Sequence, residues 1–190
     1  VSLLNSTHGY GGLTKALHWL VAVLFGFQYL AGAVMSRMAP NGTALGLTQS
    51  AWYNWHKSIG LVALAIALVR LANRNLGDLP PWAPSLNDGE KRFIHRAEQL
   101  MYGAMLVMPV SGFLYVMAGG YGVHLFGHWH LPNPIGAWPL LESTSRLVHQ
   151  VAGIALAVAV LGHVGLVLRH QLFFRDGLLR RMLPGRSGTP

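Results

Sequence analysis

The sequence predicts an all-α membrane protein built as a four-transmembrane-helix bundle. Composition is the first indication: 52% of the 190 residues are hydrophobic and 11% are charged, whereas soluble domains carry about 25% charged residues. Mean hydropathy is +0.39. The second is four charge-poor apolar runs, at residues 14–36, 52–72, 93–118 and 147–168. Each is long enough to cross about 30 Å of hydrocarbon at about 1.5 Å per residue. In lipid such a run must be helical, because the bilayer offers its backbone no other hydrogen-bond partner. A single membrane domain over residues 1–190 is expected, ending in a basic tail over 169–190.

The first run, TKALHWLVAVLFGFQYLAGAVMS, has Gln28 as its only polar interruption deep in the span. Its length, its His18-Trp19 pair and the lack of a small-residue cleavage site make it a retained span rather than a signal sequence. A short connection (37–51) leads to the second run, and a Pro-rich one (73–92, with PPWAP) leads to the third. Pro109 removes a backbone donor from the third run and predicts a kink or partial break there. A long Gly/Pro/aromatic connection (119–145) precedes the fourth run, HQVAGIALAVAVLGH and its flanks. Its Tyr121, Trp129 and Trp138 suit the headgroup level of a membrane. The chain has no repeat of 20–50 residues and no low-complexity tract.

Basic residues orient the bundle. With a cytoplasmic N-terminus, Lys15, Arg70, Arg74, Lys91, Arg92, Arg96, Arg169, Arg175, Arg180, Arg181 and Arg186 fall inside and Arg37, Lys57 and Arg146 outside. The positive-inside bias then places both termini in the cytoplasm. It accounts for most of the net charge of +8 as topology and attraction to anionic lipid, with no nucleic-acid partner required. Cysteine is absent, which excludes disulfides, iron–sulfur clusters and covalent C-x-x-C-H haem attachment.

This topology gives the histidines depths. His18 and His163 lie near the inner ends of the first and fourth spans, and His56 and His149 near the outer ends of the second and fourth. The fourteen-residue gap between His149 and His163 covers about 21 Å, and the two rings differ by only about 40° around the helix. Ionisable groups within a membrane are costly and usually functional. Neutral imidazole is a preferred ligand of haem iron, and facing helices of a bundle build cofactor sites in its core. Two imidazoles at one depth can take both axial positions, so two haems in the bundle core are expected.

One turn deeper than each histidine stand small residues, Ala22, Gly60, Gly153 and Ala159, which leave room for a flat macrocycle on the same helix face. Lys15 precedes His18 by three residues and Arg146 precedes His149 by three, positions suited to haem propionates or to snorkelling at the interface. Zinc or di-iron sites need more ligands at one depth, and the spans offer no Asp and only Glu98 near a helix start. In the outer connection, His124, His128 and His130 have a spacing that allows weak metal binding.

Taken together, ALHWL, WHKSIG, LMYGAMLVMPVSGFL, VHQVAG, LGHVGLVLRH and RDGLLRRML resemble the bacterial cytochrome b561 family, over residues 10–183. The resemblance implies a multi-pass protein of the inner membrane with two non-covalent b haems, His18 with His163 holding the cytoplasmic-side one and His56 with His149 the periplasmic-side one. Members often show two histidines three apart at the start of the third span. Here FIHRAEQ keeps His95 and has Glu98 in the second place, which leaves His95 as a candidate quinone-site residue or propionate neighbour.

An iron with two protein ligands has no open position, which leaves outer-sphere electron transfer. The chain lacks a Gly-rich nucleotide fingerprint. Its redox partners are therefore a quinone, a small molecule at the outer face or another protein. Some family members are superoxide oxidases that reduce ubiquinone, and Lys57 and Arg146 would supply a positive field to steer the anion. The alternative is a cytochrome b anchor linking a periplasmic dehydrogenase or hydrogenase to quinone, docking through the 119–145 connection.

Overall fold

The protein is described here from a computed structural model covering residues 2–183. Arg186 and the end of the expected basic tail lie outside the described residues. Four helices are long and apolar enough to cross a membrane: α1 (Gly12–Met35), α2 (Gln49–Arg74), α3 (Asp88–Ala118) and α4 (Pro139–Arg169). Three of the expected spans lie within α2, α3 and α4, and the first overruns the end of α1 by one residue. The fourth starts eight residues earlier than its apolar run because Pro139 suits a first helical turn, where no amide partner is needed. Glu142 then bonds back to the Trp138 carbonyl at 2.9 Å. Beyond α4 the chain continues as a π-helical turn, His170–Phe174. That turn stops where Arg175 adopts a left-handed conformation (φ 52) and donates its N–H to the His170 carbonyl.

Pro109 does not end the helix, since α3 continues from Asp88 to Ala118 with the proline inside it. The start of α3 is fixed by a reciprocal cap. Asn87 Oδ1 accepts the Glu90 N–H at 2.9 Å, and Glu90 Oε2 accepts the Asn87 N–H at 3.0 Å.

The α1–α2 and α3–α4 connections each contain a small antiparallel hairpin. The first pairs β1 (Thr43–Ala44) with β2 (Leu47–Thr48), and the second pairs β3 (Val123–Leu125) with β4 (Trp129–Leu131). Each turns through a bulky residue and a glycine at positive φ, Leu45-Gly46 and Phe126-Gly127.

The chain forms two compact units, each drawing on several helices. One comprises Val1–Leu20, Ile66–Ala104 and Gly153–Pro190, and the other Val21–Ala65 and Met105–Ala152. In the first unit, Asn5 Oδ1 accepts from Gly11 N–H and from the Thr14 hydroxyl, whose oxygen accepts from Asn73 Nδ2 at 2.8 Å. This chain of bonds ties the start of α1 to the end of α2. In the second unit, Val116, Met117 and Val123 form a buried cluster against Leu61, Phe113 and Leu131. It seats the β3–β4 hairpin. Along α4, Val151, Ile154, Val158 and Leu161 are exposed while Leu156 and Ala159 are buried. This is the pattern of a helix with one face to lipid and one to the bundle.

Ser58 is fully buried and joins the hairpin to α2. Its Oγ donates to the Asn54 carbonyl at 2.7 Å and accepts the Phe126 N–H at 2.7 Å. Ser58→Ala should leave that amide unsatisfied, at roughly 1–3 kcal/mol. Hydrogen exchange in detergent should then show faster exchange at Phe126 and Gly127, with α4 amides unaffected; unchanged exchange at Phe126 would show that the hairpin is held by its apolar contacts alone.

Candidate functional site

Two pairs of histidines face each other, one pair in each compact unit. The rings of His18 and His163 have centroids 6.2 Å apart, tilted by 59°. Those of His56 and His149 are 6.3 Å apart and tilted by 82°. A metal–imidazole bond is about 2.0 Å and the ring centre lies about 1.1 Å behind the nitrogen, so two imidazoles on opposite sides of one ion have centres about 6.2 Å apart. Both pairs therefore fit a single six-coordinate iron between their rings.

The second unit prepares its pair through backbone. His149 Nδ1–H donates to the Met108 carbonyl at 2.7 Å, which fixes the ring tautomer and leaves Nε2 bare as a ligand atom. Ser111 Oγ also donates toward that carbonyl, at 3.1 Å, and to the Val107 carbonyl at 2.6 Å. Gly112 leaves the His149 ring its room. A Cβ at that position would lie 3.0 Å from His149 Cε1 and Nδ1. Opposite, Gln28 Nε2 donates to the His56 carbonyl at 3.0 Å. His56 Nδ1 and Gln28 Oε1 are buried without hydrogen-bond partners, a state that costs roughly 1–3 kcal/mol per group.

The first unit treats its pair differently. Arg70 lies 3.3 Å from His18 Nδ1 and 3.3 Å from the Tyr102 hydroxyl, with its guanidinium over the Tyr102 ring. A guanidinium only donates, so in this arrangement His18 Nδ1 accepts and the ring proton belongs on Nε2. Binding iron through Nε2 requires that proton to leave and Arg70 to turn to another acceptor. Lys15 is 5% exposed and makes no side-chain hydrogen bond or ion pair among the described residues. A buried cation without an anion is a natural contact for a carboxylate such as a haem propionate.

The remaining predicted residues are placed as follows. Lys57 is half-buried and donates to the Gly122 carbonyl at 2.8 Å, which ties it to the hairpin. Arg146 is exposed on α4 one turn from His149. His95 is exposed and joins neither histidine pair, while Glu98 is taken up by Arg74 at 3.2 Å. The hairpin sets His124 opposite His130 with centroids 4.9 Å apart, and His128 packs on Trp129 instead. Among the described residues no three His, Cys, Asp or Glu side chains come together as a metal site.

Of the small residues noted in the sequence, Gly60 is constrained by Gln28, whose Nε2 would lie 3.0 Å from an added Cβ. Sequence reasoning missed Arg70 and Gly112 as parts of the site. Arg70 was legible only as a topological cation. Gly112 follows Pro109 in PVSG, a signal for altered backbone that points to no particular partner.

A sequence profile of the family described as prokaryotic cytochrome b561 matches residues 9–185. The chain belongs to the prokaryotic cytochrome b561 family. Among relatives, it is 23% identical to cytochrome b561 homolog 2 of Escherichia coli (strain K12), with 100% of this chain and 98% of that protein aligned. It is 25% identical to cytochrome b562 of Cereibacter sphaeroides, over 94% of this chain and 97% of that one. Membership makes the protein a membrane cytochrome b, and its general activity haem-mediated electron transfer within a lipid bilayer.

Gly112→Ala should crowd the His149 ring at a typical overpacking cost of about 1–3 kcal/mol. Haem content per protein, measured as the pyridine haemochrome, is expected to fall below the wild-type value. An unchanged haem content and spectrum would mean that His149 is not a ligand.

Proposed function

We propose that this cytochrome holds two b haems, one between His18 and His163 and one between His56 and His149, and carries electrons from a donor at the outer face to the quinone pool. The observation that supports it most is the ring spacing, 6.2 and 6.3 Å in the two pairs. A haem so ligated supplies a reversible one-electron couple with no open coordination position. The protein sits in the bacterial inner membrane with both termini in the cytoplasm, an orientation supported by the distribution of lysine and arginine.

The roles of the chain's own groups follow from their chemistry. The Met108 carbonyl holds the His149 proton on Nδ1 and aims Nε2 into the pair. Gly112 keeps the space that the ring occupies. Lys15 offers buried positive charge to a propionate of the inner group, and Arg70, released from His18, offers a second.

Superoxide is the proposed donor and ubiquinone the acceptor. Two superoxide anions each lose one electron to become dioxygen, and one quinone gains two electrons and two protons to become quinol. Lys57 and Arg146 draw the anion toward the outer face by their long-range field. That Lys57 is also bonded to Gly122 fixes its charge in place without neutralising it.

Four measurements test this reading. The purified protein should contain two haems per chain, both low-spin; one haem per chain would overturn the assignment of pairs. His163→Ala should remove one haem and leave the spectrum of the other intact. Anaerobic mixing of oxidised protein with superoxide should reduce the haem bands rapidly, and added ubiquinone should reoxidise them. Lys57→Gln should slow the first step and weaken its dependence on ionic strength, since the field is screened over about 10 Å at about 0.1 M salt. Inertness to superoxide would turn the assignment toward an anchor for a periplasmic dehydrogenase or hydrogenase.

A further inference from the structure

A groove of about 520 Å³ runs between α3 and α4 within the first compact unit. Its walls include Phe93, Ala97, Leu100 and Val158, and its rim carries Arg92 and Arg96. The walls are almost wholly apolar. Phe93 closes the inner side by packing on Gly162, where an added Cβ would lie 2.9 Å from the ring.

The two arginines distinguish this groove from an ordinary helix crevice. Four residues apart on one helix, they project on the same face about one turn from each other. Both are exposed, and neither makes an ion pair or side-chain hydrogen bond among the described residues. Neighbouring cations are engaged: Lys91 pairs with Asp88 at 3.0 Å, Arg169 with Glu90 at 2.7 Å and Arg74 with Glu98 at 3.2 Å. The acidic groups at this end of α3 are therefore already taken, and the rim of the groove is left with two charges to be balanced from outside the chain.

We infer that the α3–α4 groove is a binding site for an anionic phospholipid, with its phosphate on Arg92 and Arg96 and one acyl chain along Phe93, Ala97, Leu100 and Val158. The arginines lie in the first turns of a spanning helix, where headgroups sit, and basic pockets between such helices are suited to anionic headgroups. From Arg92 to Leu100 the groove follows α3 for about 12 Å, room for most of an acyl chain's upper half. A guanidinium pair binds a phosphate through several charge-assisted hydrogen bonds. A neutral quinone headgroup would accept hydrogen bonds there but leave both charges uncompensated, and a free phosphate would leave the apolar walls bare.

The test uses the haem-loaded protein in nanodiscs of equal phosphatidylglycerol and phosphatidylcholine, extracted in mild detergent and weighed by native mass spectrometry. Wild type is expected to retain phosphatidylglycerol over phosphatidylcholine by about tenfold or more, the preference that two arginines at a membrane surface supply. Arg92→Gln with Arg96→Gln should abolish the preference, and Val158→Trp, which fills the groove, should abolish retention of either lipid. An unchanged absorption spectrum in each variant shows that the bundle is intact. The inference is overturned if the double variant keeps the wild-type preference, if Val158→Trp retains lipid as before, or if the molecule retained by wild type is a quinone.

Discussion

Hydrocarbon accepts no hydrogen bonds, so each polar group within the four spans must be satisfied by the protein or by something the protein holds. This constraint orders the interior of each unit. Ser111 returns its hydroxyl to carbonyls of its own helix, Gln28 spends its amide on the His56 carbonyl, and Arg70 rests on Tyr102 and His18. Apart from Asn73 Oδ1, the groups left over lie at the histidine pairs and beside them: His56 Nδ1, Gln28 Oε1 and the ammonium of Lys15. A metallated macrocycle with carboxylate arms is the kind of molecule that turns such a set from a liability into a site.

Much of this was legible in the sequence because membrane helices are specified by length and composition. The four apolar runs coincide with the four helices to within a residue at the end of α1, and depth alone matched His18 with His163 and His56 with His149, the partners that the structure brings face to face. What escaped has physical reasons. The start of α4 at Pro139 escaped because eight residues of interfacial helix carry no lipid-like signature. The hairpins escaped because their turns use Leu45-Gly46 and Phe126-Gly127 at positive φ, where turn chemistry favours Asn or Asp before glycine. Pro109 does not divide α3, since a helix tolerates a proline when neighbouring groups satisfy the freed backbone.

Site details were less legible than site identity. The tautomer of His149 depends on a carbonyl 41 residues away in sequence, and that of His18 on an arginine 52 residues away. No pattern along the chain encodes either contact. The same holds for Gly112, whose missing side chain matters only because the His149 ring lies against it.

The compact units also divide the histidine pairs between them, His18 and His163 in one and His56 and His149 in the other, although α4 supplies a histidine to each. The polar neighbours are divided in the same way: Arg70, Tyr102 and Lys15 accompany the first pair, and Gln28, Met108, Ser111 and Gly112 the second. Substitutions at separated sites with no shared partners combine nearly additively. On the proposed assignment of one haem to each pair, natural variation can therefore adjust the affinity for electrons at one centre while the other stays fixed, and the driving force between them becomes a difference between two independently heritable settings.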